Sequence, residues 1–478
     1  MFFERVYDRH LAHASYVVGC QATGEALVID AGRDIAPYLA IARREGLRIT
    51  HIAETHIHAD FLCGSRELAE MTGGRLFLSD EGGADWQYEF PHTGLTDGDY
   101  FLVGNLRIDV LHTPGHTPEH LSFLLTDQPA GDGETPSMLF SGDFVFVGDV
   151  GRPDLLEKAA GIEGTMEAGA RQLWTSLERF RQLPDHVQVW PAHGAGSACG
   201  KSLGAVPSST IGYEKATNWA FGAEGEDAFV QSILSGQPEP PTYFARMKHL
   251  NKVDRPLRLG ADVPYAASVD QLDHWLENGA VLVDPRLRDD FARGHIPGSL
   301  SLPANASFVT WAGWLIPADR PVVLVTADGE EYVELCRRLA SIGIDHVIGR
   351  VAGVEAWTRA GRDLAPTTFL RAEEANLALL SGDAALLDVR SENEWNAQRI
   401  EGAVRIHLGE LADRVEELPT DRRIIVHCLG GDRSAIACSV LQRAGRHDCA
   451  SMSGGITAWR EAALPVVTGE PAGEGVVG

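Results

Sequence analysis

The second half of the chain contains an internal repeat, which constrains the fold more than any other feature of the sequence. Segments that recur after about 100 residues are 281–286 with 385–390, 295–298 with 399–402, 321–326 with 422–427, and 353–357 with 455–459. This spacing corresponds to two whole domains rather than to the short units of a solenoid. In each copy, apolar runs typical of buried strands alternate with helical segments. The repeat therefore predicts two α/β domains with parallel sheets.

The second copy carries a cysteine, Cys428, where a predicted strand ends and a predicted helix over 435–443 begins. Backbone N–H groups and the dipole at a helix N-terminus stabilise an anionic thiolate or persulfide. Two glycines allow the loop to curl around the sulfur, and Arg433 adds a cation. Four residues separate Cys428 from Arg433, which suits a sulfur atom better than a phosphate. The residues predicted to bind the substrate here are Leu429, Gly430, Gly431, Asp432 and Ser434.

The first copy lacks these groups. Ala327 stands where the second copy has its cysteine, and the arginine position is also lost. Cys336 lies further along the following helix and is not placed to replace the nucleophile. We therefore expect the first copy to be catalytically inactive and to serve as a spacer or docking surface.

The first half of the chain places metal-ligand residue types at four predicted strand ends. The stretch 54–61, Glu-Thr-His-Ile-His-Ala-Asp-Phe, follows an apolar run over 47–53 and precedes a helical pattern. Three more strands lead to a histidine or an aspartate. The candidate ligands are His56, His58, Asp60, His116, Asp143 and His193. Imidazole nitrogen and carboxylate oxygen are ligands for borderline and hard metal ions, so this pattern predicts a metal centre.

The order His-x-His-x-Asp, Pro-Gly-His-Thr-Pro, Ser-Gly-Asp and Pro-Ala-His resembles the metallo-β-lactamase superfamily. The resemblance implies a four-layer αββα sandwich. The usual superfamily pattern continues with another histidine, but this chain has Phe61, which has no lone pair to donate. A centre with two metal ions is therefore doubtful.

Within the superfamily, the chain resembles the persulfide dioxygenases. That resemblance implies one Fe(II) per chain, held by His56, His116 and Asp143, with zinc as an alternative occupant in the purified protein. His58, Asp60 and His193 would then orient the ligands or water. The alternative for these three is a purely structural, hydrogen-bonded role.

Two further segments of the first half are ambiguous. Arg152 lies in a Gly-Arg-x-Asp stretch similar to that of persulfide dioxygenases, where it would face an anionic substrate. The alternative is an ion pair with Asp154. The segment 194–202 ends like a phosphate-binding loop, but Ala195 replaces the first required glycine, so no nucleotide site is expected.

Both repeats resemble rhodanese (sulfurtransferase) domains. As a whole, the chain is similar to fusions of a persulfide dioxygenase with rhodanese domains. The predicted domains are a dioxygenase domain at 1–255, an inactive rhodanese-like domain at 262–364 and a catalytic rhodanese domain at 368–472.

This resemblance implies oxidation of a low-molecular-weight thiol persulfide by O2 to sulfite, followed by sulfur transfer through Cys428 to give thiosulfate, in sulfide detoxification. The first alternative is a zinc-dependent thioester hydrolase of the glyoxalase II type fused to a sulfurtransferase. The second is a non-enzymatic sulfur carrier or persulfide sensor. The sequence does not identify the thiol that carries the persulfide.

Charge and cysteine content exclude other classes. The net charge of −26 argues against nucleic acid or an anionic membrane as a partner. Seven scattered cysteines do not form a disulfide framework, and no apolar run is long enough to span a bilayer. The N-terminus does not have a signal-peptide pattern. We expect a cytoplasmic homo-oligomer that takes small-molecule substrates.

Overall fold

The computed structural model describes residues 1–130, 133–158, 164–201, 203–260, 263 and 265–469. The described chain divides into two compact units near residue 262, and the segment 337–343 groups with the first. The predicted boundaries at 262 and 472 lie outside the described residues. Within these residues, no helix has both the length and the apolar character needed to cross a membrane.

The first unit contains two six-stranded sheets. Their strands are β1 (Phe2–Asp8), β2 (His13–Cys20), β3 (Glu25–Ile29), β4 (Arg48–Ala53), β5 (Arg75–Ser79), β6 (Thr93–Leu95), β7 (Tyr100–Val103), β8 (Leu106–His112), β9 (Leu121–Asp127), β10 (Met138–Gly142), β11 (Gln188–Pro191) and β12 (Ser209–Thr210). The first sheet has the order β1-β2-β3-β4-β5-β6 and the second the order β12-β11-β10-β9-β8-β7. In each sheet, the strands that come first in the chain pair antiparallel. Parallel pairs, such as β3 with β4 and β10 with β11, come later in the chain.

Helices cover both sheets. They are α1 (Ala36–Glu45), α2 (Ser65–Thr72), α3 (Leu155–Lys158), α4 (Thr165–Phe180), α5 (Ile211–Thr217), α6 (Glu226–Leu234) and α7 (Phe244–Lys252), with short 3-10 helices at Ala84–Trp86 and Trp219–Gly222. The segment 237–264 is rich in proline and polar residues, which predicts a connector, but the structure has the helix α7 within it. Prolines and polar residues on both sides of α7 mask its short helical pattern.

Apolar side chains on alternate faces of the strands build the layers. Leu27 of the first sheet and Phe123 of the second belong to one buried cluster between the sheets. Val28, which points the other way, packs in a cluster with Ile41 of α1. Leu177 of α4 belongs to the cluster on the outer face of the second sheet. The predicted αββα sandwich is confirmed.

The second unit contains the two repeats except for segment 337–343. Their strands are β13 (Val281–Asp284), β14 (Leu300–Ser301), β15 (Val322–Thr326), β16 (Val347–Ala352), β17 (Thr368–Leu370), β18 (Ala384–Asp388), β19 (Gln398–Arg399), β20 (Val404–Arg405), β21 (Arg423–His427), β22 (Cys449–Met452) and β23 (Val467–Thr468). The helices are α8 (Val269–Glu277), α9 (Arg288–Arg293), α10 (Phe308–Leu315), α11 (Gly329–Ala340), α12 (Gly353–Arg359), α13 (Ala372–Leu380), α14 (Glu392–Ala397), α15 (Leu411–Arg414), α16 (Asp432–Arg443) and α17 (Gly455–Glu461), with 3-10 helices at Leu408–Glu410 and Val415–Glu417.

Each repeat has a parallel sheet, as predicted. The orders are β14-β13-β15-β16 and β17-β22-β21-β18-β20, and a small antiparallel pair joins β19 to β23. The repeated Asp-x-Arg motif has the same role in both copies. The Asp284 carboxylate accepts hydrogen bonds from the backbone and guanidinium of Arg286, and Asp388 binds Arg390 in the same way. In each repeat, this pair fixes the loop that follows the strand that ends in the aspartate.

Candidate metal centre and sulfur site

The four predicted strand ends meet at one edge of the sandwich. His56 follows β4, His116 lies in the loop between β8 and β9, and Asp143 directly follows β10. These three side chains are buried, and their ligand atoms lie within 4.8 Å of one another. Gly142, at φ +52°, allows this approach, because a Cβ atom there would meet the side chains of Thr55 and His120 at 2.6 Å. The sequence prediction thus selects three side chains that the fold brings together.

The free ligand atoms of this trio point towards one another. Asp143 Oδ2 lies 3.6 Å from His116 Nε2 and 3.9 Å from His56 Nε2. His56 Nε2 and Asp143 Oδ2 are buried without a hydrogen-bond partner among the described residues. Buried polar atoms are normally paired, and these fit a metal ion that accepts both lone pairs.

Hydrogen bonds fix the tautomers that a metal ion requires. The Thr55 hydroxyl donates its proton to Asp30, 3.0 Å away, so it accepts from His56 Nδ1 at 2.9 Å. His116 Nδ1 donates to the carbonyl of Arg152 at 3.1 Å. Both Nε2 atoms therefore carry lone pairs. Burial lowers the pKa of His56 and of His116, so these imidazoles are held neutral.

His193 holds the carboxylate of Asp143 in place. His193 Nδ1 donates to Asp143 Oδ1 at 2.6 Å, and His193 Nε2 lies 2.8 Å from Asp60 Oδ2. Burial acts to lower the pKa of His193, but the two carboxylates outweigh it and raise the pKa. Burial likewise acts to raise the pKa of Asp143, but His193 outweighs it and keeps the pKa below its usual value. The resulting charges leave an ionised carboxylate facing the two neutral imidazoles.

Phe61 fills the place where the usual pattern has a histidine. Its ring is buried between His13, with centroids 4.0 Å apart, and His58, with centroids 4.5 Å apart. His58 Nε2 lies 3.2 Å from Asp30 Oδ1. Burial acts to lower the pKa of His58, but Asp30 outweighs it and raises the pKa. His13 was not predicted as a site residue, because a histidine at the start of a strand has no distinguishing neighbours.

Cys199 belongs to a second cluster that the sequence did not indicate. Ligand atoms of Asp60, His193 and Cys199 lie within 4.8 Å of one another, and all three side chains are buried. Asp60 Oδ1 and His193 Nε2 lack an aligned hydrogen-bond partner among the described residues. However, burial raises the pKa of the Cys199 thiol, and nearby Asp60 and Asp143 raise it further. The Cys199 thiol must lose its proton before it binds a metal ion, because a metal ligand must be a thiolate.

Two other side chains hold the ligand loops. The Asn251 amide of α7 donates to the carbonyls of His58 and Phe61 at 2.7 and 2.8 Å, and it accepts from the Cys63 N–H at 2.9 Å. His120 Nε2 accepts from the Asp143 N–H at 3.0 Å. Asn251 lies almost 200 positions from the motif, so local pattern gives no signal for this contact.

Arg152 does not face a substrate site in this structure. Its side chain is fully buried, and its guanidinium binds both oxygens of Asp154 at 3.0 and 2.8 Å. It also donates to the carbonyls of Ala198 and Pro238. The ion-pair alternative therefore describes Arg152, because an engaged, solvent-free guanidinium has no open face for an anion.

The loop after β21 surrounds the sulfur of Cys428. The Gly431 N–H donates to Cys428 Sγ at 3.1 Å, and the Ser434 hydroxyl lies 3.8 Å from the same sulfur. Cys428 is 1% exposed, whereas Leu429 is 53% exposed at the outer side of the loop. Gly431 has φ +101°, a conformation that glycine adopts without strain. The predicted cradle for an anionic sulfur is present.

The guanidinium of Arg433 forms an ion pair with a carboxylate beside the Cys428 loop. Its two terminal nitrogens bind the two oxygens of Glu394 at 2.7 Å each. Burial acts to raise the pKa of Glu394, but Arg433 outweighs it and lowers the pKa to about 2. The sequence did not indicate Glu394, because it is 39 positions away on α14.

In the first repeat, a nearby side chain binds the backbone of the loop that corresponds to the Cys428 loop. The Ala327 N–H donates to a carboxylate oxygen of Glu331 at 2.8 Å. An acidic group thus binds the backbone N–H of the residue that corresponds to Cys428. This arrangement agrees with the expectation of an inactive repeat.

Comparison with known proteins identifies the family. The Metallo-beta-lactamase superfamily profile matches residues 9–193, and the Rhodanese-like domain profile matches 268–360 and 371–462. A curated hydroxyacylglutathione hydrolase of Rhodospirillum rubrum is 34% identical over 180 residues, which are 37% of this chain and 60% of that protein. The chain therefore spans less than two thirds of the length of this relative.

Two solved structures are also similar. A metallo-beta-lactamase from Staphylococcus aureus subsp. aureus COL is 45% identical with a TM-score of 0.68, and the match covers 73% of this chain and 98% of that chain. ETHE1 from Myxococcus xanthus is 27% identical with a TM-score of 0.41, covering 52% of this chain and 100% of that chain, which is too low a score to bear on function. The chain belongs to the metallo-β-lactamase superfamily, and two rhodanese-like domains follow its metallo-β-lactamase domain.

Proposed function

We propose that the first domain is a non-haem Fe(II) dioxygenase that oxidises a low-molecular-weight thiol persulfide, and that Cys428 of the last domain transfers sulfur to the sulfite formed. In the first reaction, the persulfide, O2 and water give the thiol and sulfite. In the second, a sulfur atom from another persulfide passes through Cys428 to sulfite and gives thiosulfate.

The trio of His56, His116 and Asp143 carries the proposal. Two neutral imidazoles and one carboxylate with converging lone pairs form the ligand set typical of Fe(II) oxygenases. Such a set leaves coordination positions for a second reactant. A rhodanese-like domain with a cradled cysteine in the same chain supports a sulfur substrate.

The protein's own residues prepare this centre. When bound, Fe(II) supplies the redox chemistry that allows dioxygen to react with a sulfur substrate. Thr55 and the Arg152 carbonyl keep the Nδ1 protons on His56 and His116, which leaves both Nε2 atoms free to bind. His193 orients Asp143 and stabilises its negative charge. Buried side chains around the trio limit the access of bulk water.

In the last domain, the backbone stabilises the sulfur leaving group. The Gly431 N–H that binds Cys428 Sγ donates a hydrogen bond to the sulfur on which negative charge develops when the transferred sulfur leaves, so it favours departure of the cysteine after transfer. The Glu394 pair keeps Arg433 in a fixed position beside this loop. Having both centres in one chain raises the effective concentration of sulfite at Cys428.

A two-metal thioester hydrolase is the second candidate function. The cluster of Asp60, His193 and Cys199 supports it, since these residues provide three ligand types beside the first trio. The curated relative named hydroxyacylglutathione hydrolase supports it as well. Against it stands Phe61, whose ring has no lone pair to donate to a second metal ion.

Metal content and oxygen uptake distinguish these candidates. We expect anaerobically purified protein to hold one iron per chain and to consume O2 when glutathione persulfide is added. Two zinc ions per chain, hydrolysis of S-lactoylglutathione and no O2 uptake would instead establish the hydrolase.

Sulfur transfer is tested separately in the full chain. Cys428→Ser should keep O2 uptake within about twofold of the unaltered protein and abolish thiosulfate formation, because the hydroxyl does not accept sulfane sulfur. Cys438→Ala is the matched control. Cys438 is buried on α16, and both its hydrogen bond with Cys449, the larger effect, and its burial raise the pKa of its thiol. A thiol with a raised pKa is a poor nucleophile, so Cys438→Ala should preserve both activities. Enzymatic thiosulfate formation by the Cys428→Ser protein would refute the role of Cys428.

A further inference from the structure

Arg288 of the first repeat lies on the cysteine loop of the second repeat. Its Nη1 donates to the carbonyl of Gly430 at 3.0 Å and lies 3.0 Å from a carboxylate oxygen of Asp432. A Cβ atom at Gly431 would lie 2.7 Å from the same nitrogen. The inactive repeat thus places a guanidinium against three consecutive residues of the loop that holds Cys428.

Contacts between α16 and the first repeat keep this guanidinium close to the loop. The Ser439 hydroxyl accepts from the Ser301 N–H at 3.0 Å, and Arg443 donates to the carbonyl of Gly298 at 2.8 Å. The helix that carries Arg288 is anchored by Phe291, which is buried and stacks on His295 with centroids 3.8 Å apart. The position of Arg288 therefore follows from the packing of the two repeats within the second unit.

The two arginines at the loop differ in their availability. Arg433 gives both terminal nitrogens to Glu394, and this carboxylate is mostly shielded from solvent. Asp432, the partner of Arg288, has a side chain that is 70% exposed, and such a pair contributes little and is screened by water. Nη1 of Arg288 binds Gly430 and Asp432, and its Nε lies 3.6 Å from Asp289, whose side chain is 75% exposed. Within the described part of the chain, Nη2 is the guanidinium nitrogen that remains for an incoming anion.

We propose that Arg288 binds the anionic sulfur acceptor, so that the catalytically inactive repeat contributes a substrate-binding residue to the sulfur-transfer site. The inference rests on the proposed function of Cys428. A planar guanidinium forms two parallel hydrogen bonds with an oxyanion, which suits the oxygen atoms of sulfite.

The transfer step balances without an added oxidant. The lone pair on the sulfur of sulfite attacks the outer sulfur of the Cys428 persulfide and forms the sulfur–sulfur bond of thiosulfate. The bond between the two persulfide sulfurs breaks, and its electron pair remains on the Cys428 thiolate. Two negative ions must approach each other in this step, and Arg288 reduces their repulsion.

Two acceptors of different charge test the proposal. Sulfur transfer from thiol persulfide is measured with sulfite, a dianion, and with cyanide, which is mainly uncharged HCN at neutral pH. Arg288→Gln should raise KM for sulfite about tenfold and change KM for cyanide less than twofold. Arg288→Lys should recover part of the sulfite affinity. Arg293→Gln, which alters an exposed arginine on the same helix, should behave like the unaltered protein.

The outcomes separate this inference from the proposed function. If Cys428 of the unaltered protein takes up no sulfur, as read by mass spectrometry, the proposed function fails and the inference fails with it. If Cys428 loads normally but Arg288→Gln leaves KM for sulfite unchanged, only the role of Arg288 is refuted. Equal increases of KM for both acceptors would show that Arg288 merely supports the loop, and would also refute acceptor binding.

Discussion

His193 Nδ1 donates to Asp143 Oδ1 over 2.6 Å, and this contact leaves the other Asp143 oxygen as the one that faces His56 and His116. A carboxylate with one oxygen already bound has a defined orientation. The contact therefore sets which oxygen is available to a metal ion and how strongly it attracts one.

Removal of this contact should weaken metal binding without changing the ligands. We expect His193→Ala to raise the Kd for Fe(II) by 10- to 100-fold, since partners that orient ligands typically have effects of this size. Competition with a chelator under anaerobic conditions measures the change. His186→Ala, which alters an exposed histidine on the carbonyl of Pro136, is the control. Unchanged affinity in the His193→Ala protein would contradict the orienting role.

Phe61 should limit the number of bound ions. Phe61→His restores an imidazole beside Asp60 and His193, so we expect zinc reconstitution to give two ions per chain instead of one. Phe61→Leu keeps an apolar side chain in the same place and should still bind one. Equilibrium dialysis followed by elemental analysis gives the stoichiometry. Two zinc ions in the unaltered protein would show that Phe61 does not prevent a second site.

Gly431 should be far less tolerant than its neighbour Gly430. Gly431 has φ +101° and would bring a Cβ atom against Arg288, so Gly431→Ala should reduce stability by about 1–2 kcal/mol and slow sulfur loading of Cys428. An added Cβ at Gly430 meets no atom within 4 Å, and Gly430→Ala should have a small effect. Thermal unfolding and mass spectrometry of persulfide loading measure both effects. Equal effects of the two substitutions would contradict this account of the loop.

The Glu394–Arg433 pair should make the stability of the last domain depend on pH. The pKa of Glu394 is about 2 in the folded protein and 4.5 in the absence of such contacts, so the pair stabilises the fold fully above pH 4.5. This stabilisation is lost as the pH falls from 4.5 through about 2. Glu394→Gln should therefore reduce stability at pH 6 and by a smaller amount at pH 3.

Urea unfolding followed by tryptophan fluorescence tests this dependence. Glu416→Gln, which alters an exposed glutamate of the same domain, serves as the control. The predicted pH dependence would be contradicted if Glu394→Gln lowered the free energy of unfolding by the same amount at both pH values.

The sequence predicted the elements whose structure depends on residues that are close together in the chain. The strands that lead to His56 and Asp143 were evident, because a short apolar run followed by a polar side chain is characteristic of a buried strand end. The loop around Cys428 was evident because glycines and a following helix specify an anion cradle. The order of the three domains followed from these patterns and from the repeat.

Contacts between distant segments were not predictable in this way. Asn251 reaches the motif loop across nearly 200 residues, and Glu394 and Arg288 reach the cysteine loop from separate helices. Arg152 had two possible partners in the sequence, and only the packing around it decides for Asp154. Sequence spacing describes a single element, whereas these side chains meet through the packing of several elements.

The Glu331 carboxylate on the Ala327 amide has a consequence for engineering the first repeat. A cysteine introduced at 327 alone would lie beside the Glu331 carboxylate, which binds the backbone N–H of residue 327, and this negative charge would disfavour a thiolate there. Recovery of activity would also require loss of Glu331 and an arginine in place of Tyr332, the residue that corresponds to Arg433. We therefore expect that sulfur transfer by the first repeat would need several coordinated changes, and that a single point mutation would not provide it.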